Sequence, residues 1–185
     1  MSFKIYMRLL YLLVLAATLS GCYEAEPEAY DRQQWLPSWS DADGDCLSTR
    51  QELLVQFSLA PVTFTNVKGC TVQSGLWLDP YTGNFYTLAS DLDVEHIVPL
   101  SWAHEHGGAN WTVKLKRQFA EDPENLWLVD DGRNQSKGDK GPDEWMPPYE
   151  PVQAIYLQQF MAILEKYGLK FSQGESAQKL TMLDE

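Results

Sequence analysis

The chain is short of cations, cysteine and histidine. Its 185 residues hold 14 Lys and Arg against 26 Asp and Glu, with 3 His and 3 Cys. A formal net charge of −12 excludes a uniformly basic protein that coats nucleic acid, because the chain as a whole repels polyanions. Also absent are an apolar run long enough to cross a bilayer comfortably, an internal repeat and a low-complexity tract. What remains, 44% apolar and 12% aromatic, is the composition of one globular domain with a core.

The first residues lie outside that domain. Lys4 and Arg8 precede the apolar run "LLYLLVLAA" (Leu9 to Ala17), which ends in small residues as a bacterial export signal does. "LSGC" (Leu19 to Cys22) resembles the lipobox, in which cleavage occurs before a cysteine that carries diacylglycerol. That resemblance implies a signal peptide over residues 1–21, lipidation at Cys22 and attachment to the bacterial cell envelope; an uncleaved short anchor is the alternative. Each buried acyl methylene contributes about 0.8 kcal/mol, so two or three chains hold a protein on a bilayer without a spanning helix. Tyr23 follows the cysteine where an inner-membrane retention signal has Asp, which favours the outer membrane. Residues 22–35, "YEAEPEAYDRQQW" after the cysteine, read as an acidic tether to a domain over 36–185.

Without residues 1–21 the chain keeps 12 of its 14 cations against all 26 acids, a net of −14. Between Cys22 and Asn110 stand 13 acidic and 3 basic residues, but between Trp111 and Lys140 there are 6 of each. A polyanion should therefore prefer the second region. Setting Cys22 aside leaves Cys46 and Cys70, which in an oxidising compartment are expected to bridge rather than remain buried thiols.

The periodicity is mixed, and the expected class is α+β. "STRQELLVQFSL" predicts an amphipathic helix capped by Ser48. Cys70 to Leu78 and Asn84 to Leu88 flank the turn "DPYTG" and predict a hairpin. "LDVEHIV" predicts a strand ending at Pro99, "SWAHEH" a short helix stopped by Gly107 and Gly108, and "WTVKLKRQFAED" a basic helix. "NLWLV" predicts a second strand, "RNQSKGDKG" a helical turn, and "VQAIYLQQFMAILEKYGL" a long helix ended by Gly168, with a last short helix after it. His104 and His106, two apart on a helix, do not face each other and predict an exposed surface rather than a metal site.

Three pieces then stand in order: "EHIVP", "NLWLV" and "RNQSKGDKG". Together they resemble the HNH, or His-Me finger, nucleases, and more closely the exported branch of the DUF1524 HNH family. Members of that branch also carry stretches like "CLSTRQELL", "GCTVQSGLWLDPYTG", "FAEDPENLWLVD" and "NQSKGDKGPDEWMPP". The resemblance covers most of the chain after about Trp35. It implies a ββα-metal core with flanking N- and C-terminal helices and an extra hairpin. It also implies an endonuclease that cuts nucleic acid; DNA is favoured over RNA, with RNA left open. A monomer is expected, and the acidic net charge points to weak binding with little sequence specificity.

The residue types suit that chemistry. Phosphodiester hydrolysis needs a base for water and a cation for the charge on the phosphate oxygens. By the resemblance His96 is the base, Glu95 and Asn134 are the metal ligands, and Asn125 holds the hairpin and orients the histidine. A carboxylate and an amide oxygen suit Mg²⁺, with Mn²⁺ as the alternative. Glu95 stands where the family more often has Asp, and asparagine replaces the last histidine, which disfavours Zn²⁺. Neighbours on a strand point to opposite faces, so Glu95 and His96 share a site only if the chain twists or leaves the strand there. Arg133, Lys137 and Lys140, with Lys114, Lys116 and Arg117, are the cations expected at phosphate.

"DADGDCLSTRQE" supplies a rival from another class. Asp41, Asp43, Asp45 and Glu52 fall at positions 1, 3, 5 and 12 of an EF-hand-like loop, but Cys46 replaces the glycine at position 6. An acidic loop feeding the next helix is the favoured reading. The rival is an inactive surface lipoprotein that binds Ca²⁺ at Asp41, Asp43 and Asp45.

Overall fold

A computed structural model describes residues 28–172. The expected signal peptide, the expected lipidation site Cys22, the start of the expected tether and the expected last helix lie outside the described residues. In chain order the elements are α1 (Arg32–Trp35), α2 (Thr49–Gln56), β1 (Thr63–Phe64), β2 (Val72–Leu78), β3 (Phe85–Leu88), β4 (Leu92–His96), α3 (Leu100–Glu105), α4 (Val113–Ala120), β5 (Leu126–Asp130), α5 (Asp131–Lys137) and α6 (Glu150–Tyr167). The class is α+β, with two antiparallel sheets ordered β1-β2-β3 and β4-β5. No helix among the described residues is long and apolar enough to cross a membrane.

The expected hairpin is the β2–β3 pair, extended by the two-residue strand β1. Its turn is built by Asp79, whose carboxylate accepts from the Tyr81 and Thr82 backbone N–H groups. Ser48 holds the N-cap position of α2, but its side chain makes no cap; the Ser48 carbonyl accepts from Gln51 and Glu52. Cys46 and Cys70 are disulfide-bonded across 24 positions, tying the approach to α2 to the start of β2.

Two apolar clusters flank the β4–β5 ladder. On one face Leu92, Val94, Leu126 and Leu128 pack with Leu54, Val72 and Trp77. On the other side Val129 joins Trp35, Tyr81, Phe119, Tyr156 and Phe160. The long helix α6 supplies Val152, Tyr156, Phe160, Ile163 and Leu164 at helical spacing and ends at Gly168, whose φ of +68° is the left-handed conformation glycine takes without penalty.

The tether boundary moves. Residues 32–35 form a short helix that is mostly exposed but anchored at its end: Asp31 caps α1 through the Gln33 N–H, and Trp35 is fully buried. His104 also departs from expectation. It is buried, with Nε2 on the Glu28 carbonyl at 2.7 Å, because the folded end of the tether covers it. His106 stacks on Trp102 at 3.6 Å between centroids.

Candidate active site

The antiparallel pair β4–β5 runs directly into α5, so a strand, a strand and a helix enclose one corner of the molecule. The register places Asp93 opposite Val129, Glu95 opposite Trp127 and His96 opposite Leu126. Alternation along β4 sends Asp93 and Glu95 toward α5 and leaves His96 on the face of Leu92 and Val94. Each residue then meets different partners.

Glu95 is buried against Lys137, whose ammonium donates to the Glu95 carboxylate and to the His96 carbonyl, the latter at 2.9 Å. The side chains are 6% and 0% exposed. Burial pushes the Glu95 carboxyl up and the Lys137 ammonium down; each opposite charge works against that shift.

His96 is held by its Nε2, which lies 2.8 Å from the Ala120 carbonyl, and its ring stacks on Trp39 at 5.6 Å and 13°. A carbonyl only accepts, so Nε2 carries the proton and Nδ1 keeps its lone pair. Nδ1 has no hydrogen-bond partner among the described residues. Burial, aided by the charges of Arg32 and Lys137 and opposed by the Ala120 carbonyl, lowers the imidazole pKa to about 4. The ring is neutral at pH 7.

Asn125 is fully buried and fixes the turn that follows His96. Its Oδ1 accepts from Val98 N–H at 2.8 Å, its Nδ2 donates to Val98 O at 3.2 Å, and its own carbonyl accepts from Ile97 N–H at 2.9 Å. One side chain therefore bonds both backbone groups of a residue that no regular ladder pairs.

Asn134, on α5, donates from Nδ2 to Asp93 at 3.1 Å, and its Oδ1 accepts no hydrogen bond among the described residues. Asp93 was not among the expected site residues, although its position two before Glu95 gives it the same face. Burial raises its pKa, with Asn134 lowering it and Asp131 raising it further. Arg50 lies 4.0 Å from Asp93. Val94, Glu95 and His96, three consecutive residues where β4 ends, reach one cleft of about 360 Å³ together with Asn134, and its walls also carry Tyr30, Arg32 and Asp139.

A family model described as GmrSD restriction endonucleases, C-terminal domain, matches residues 51–178. The chain belongs to this family. Glu95, His96, Asn125 and Asn134 all fall within the span matched to the GmrSD C-terminal domain, whereas Arg32 and Trp39 precede it. A relative named as an uncharacterized secreted protein of Arthroderma benhamiae is 35% identical over 162 residues, covering 85% of this chain and 76% of the relative. No solved structure matches.

The expected cations do not gather around the cleft of this GmrSD-type domain. Lys137 is consumed by Glu95, and Lys116 is buried over the Trp35 ring with Nζ on Gln34 at 2.8 Å. Lys114, Arg117, Arg133 and Lys140 are exposed, but none of them lines the cleft. Arg32, from the stretch taken as tether, does so instead. Charge composition could not show this, because it averages over residues that folding separates.

Two oxygen donors of the kind a hard divalent cation takes border one polar cleft: the unpartnered Asn134 Oδ1 and the Glu95 carboxylate, the latter already held by Lys137. The second acidic site has its own internal economy. Asp41, Asp43 and Asp45 bring carboxylate oxygens within 4.8 Å of one another, and Cys46 adopts φ +78° at the position where an EF-hand keeps glycine. Those carboxylates also accept from the Gly44, Cys46, Asp45 and Leu47 backbone N–H groups, which shape the loop. Glu121 anchors it, accepting from Ser40 N–H, Ser40 Oγ and Thr49 Oγ1.

Proposed function

We propose that the protein is a metal-dependent endonuclease of the HNH type that hydrolyses phosphodiester bonds of nucleic acid, DNA rather than RNA, outside the cytoplasm. The observation that carries this reading is the neutral His96 ring, pinned through Nε2 to Ala120 with Nδ1 left as a base, on the cleft bordered by Glu95 and Asn134. The membership in a family described by restriction endonucleases supports the same class of reaction.

In this mechanism His96 Nδ1 takes a proton from water, the water oxygen bonds to phosphorus, and the bond from phosphorus to the 3′ oxygen breaks, the departing 3′ oxygen taking a proton from solvent water. A 5′-phosphate and a 3′-hydroxyl result. Glu95 and Asn134 would hold Mg²⁺ or Mn²⁺, which when bound neutralises charge on the phosphate and leaving oxygens. Asn125 keeps the turn after His96 in place, and Trp39 and Ala120 keep the imidazole from rotating.

The name of the secreted relative supports export; the lipobox-like "LSGC" alone suggests lipid on Cys22 as the anchor, and Tyr23 after it the outer membrane as the destination. The full-length protein, incubated with plasmid DNA and with RNA in Mg²⁺, with and without EDTA, tests the activity. Metal-dependent nicking of the plasmid is expected. Intact plasmid and RNA under every condition would contradict it.

A further inference from the structure

The cleft beside Glu95 has two exposed charges of opposite sign on its walls, Arg32 and Asp139. Glu95 is balanced internally by Lys137, so these two residues set how the cleft greets an ion. No carboxylate pairs with Arg32 among the described residues, and its one close polar neighbour is the Tyr30 hydroxyl. An exposed guanidinium without a counter-charge contributes little to a fold.

Its position is nevertheless built. Trp35, three residues on and fully buried, roots α1 in the core, and Asp31 caps the helix. The Leu36 N–H closes back on the Arg32 carbonyl at 2.9 Å, and Gln34 is held by Lys116. The charge is felt across the cleft: Arg32 is among the groups that lower the His96 pKa, after burial.

We propose that Arg32 is the phosphate-binding residue of this cleft, its planar fork meeting the non-bridging oxygens of the phosphodiester attacked by the water that His96 deprotonates, with Asp139, also on the lining, opposing polyanion entry. A guanidinium suits this because it presents paired donors to a phosphate and stays charged at every working pH. The inference rests on the nuclease reading and extends it. The segment before the family span then supplies the cation that the acidic chain otherwise withholds from its substrate.

Cleavage kinetics of the full-length protein on a short DNA duplex in Mg²⁺, over a series of salt concentrations, test it. Arg32→Gln should raise KM about tenfold. It should also make the plot of log(kcat/KM) against log salt shallower by about 0.9, the loss of one phosphate contact. Arg32→Lys should restore the slope but only part of the affinity, and Asp139→Asn should lower KM. An unchanged thermal midpoint in Arg32→Gln excludes misfolding, and the Asp139→Asn arm reads the same field with Arg32 intact. If the wild type cuts but Arg32→Gln retains its KM and slope, the assignment is overturned while the nuclease reading stands. A wild type that does not cut overturns both.

Discussion

Lys137 reaches from the last turn of α5 to the Glu95 carboxylate, and neither side chain is open to solvent beyond 6%. A charge left alone in such a place costs about 3–5 kcal/mol. Lys137→Ala should therefore destabilise the protein by about that much in urea denaturation. Glu95→Gln combined with Lys137→Met should recover most of the loss, because neither charge is then stranded. Equal losses in the single and double variants would show that the pair is not coupled.

Asp122 gives the acid end of the stability curve. Burial would raise its pKa, but hydrogen bonds from Lys166, Tyr167 and the Glu124 N–H, with the Lys166 charge, outweigh burial and lower it. A carboxyl with a lowered folded pKa contributes stability that is full above its unfolded value, about 3.9, and is lost as pH falls through the folded one. Asp122→Asn should thus be less stable than wild type at pH 7, and the gap should close below about pH 4. A gap that stays constant down to pH 2 would place the effect in packing instead.

The disulfide between Cys46 and Cys70 closes a loop of 24 positions. In the chain-entropy account such a loop contributes roughly 3 kcal/mol. Replacing both cysteines by serine should lower stability by about that amount, and alkylation of the native protein should find neither thiol. Labelling of Cys46 or Cys70 without reductant would refute the bridge in solution.

The proposed lipid anchor is Cys22. Cys22→Ser should move the protein from the membrane to the soluble fraction, because the described residues contain no helix able to span a bilayer. Continued membrane retention would point to an uncleaved N-terminal segment.

Much of the site could be read along the chain because it is local: "LDVEHIVP" and "NLWLV" became β4 and β5, and "RNQSKG" became α5 ending at Gly138, whose φ is +58°. The hydrophobic alternation that marks the two strands also places Asp93 on the face of Glu95. Other parts depend on contacts distant in sequence. That Lys137 belongs to Glu95, 42 positions away, is decided by how α5 packs on β4. His104 is buried only because Glu28 lies across it, and Arg32 reaches the cleft only because Trp35 is drawn into the core. Composition marked residues 22–35 as a tether for their acidity, whereas one tryptophan decides that the end of that stretch folds.

His96 is the proposed base, and its replacement is the most direct test. His96→Ala should lower the rate of DNA cleavage in Mg²⁺ by about 10² to 10⁴, with the fold intact by circular dichroism. With His96 present, burial keeps the imidazole neutral until pH approaches about 4, so cleavage should persist through pH 5 to 6 rather than fade there. A bound cation would lower that value further and leave the direction unchanged. Cleavage by His96→Ala at the wild-type rate would contradict the mechanism.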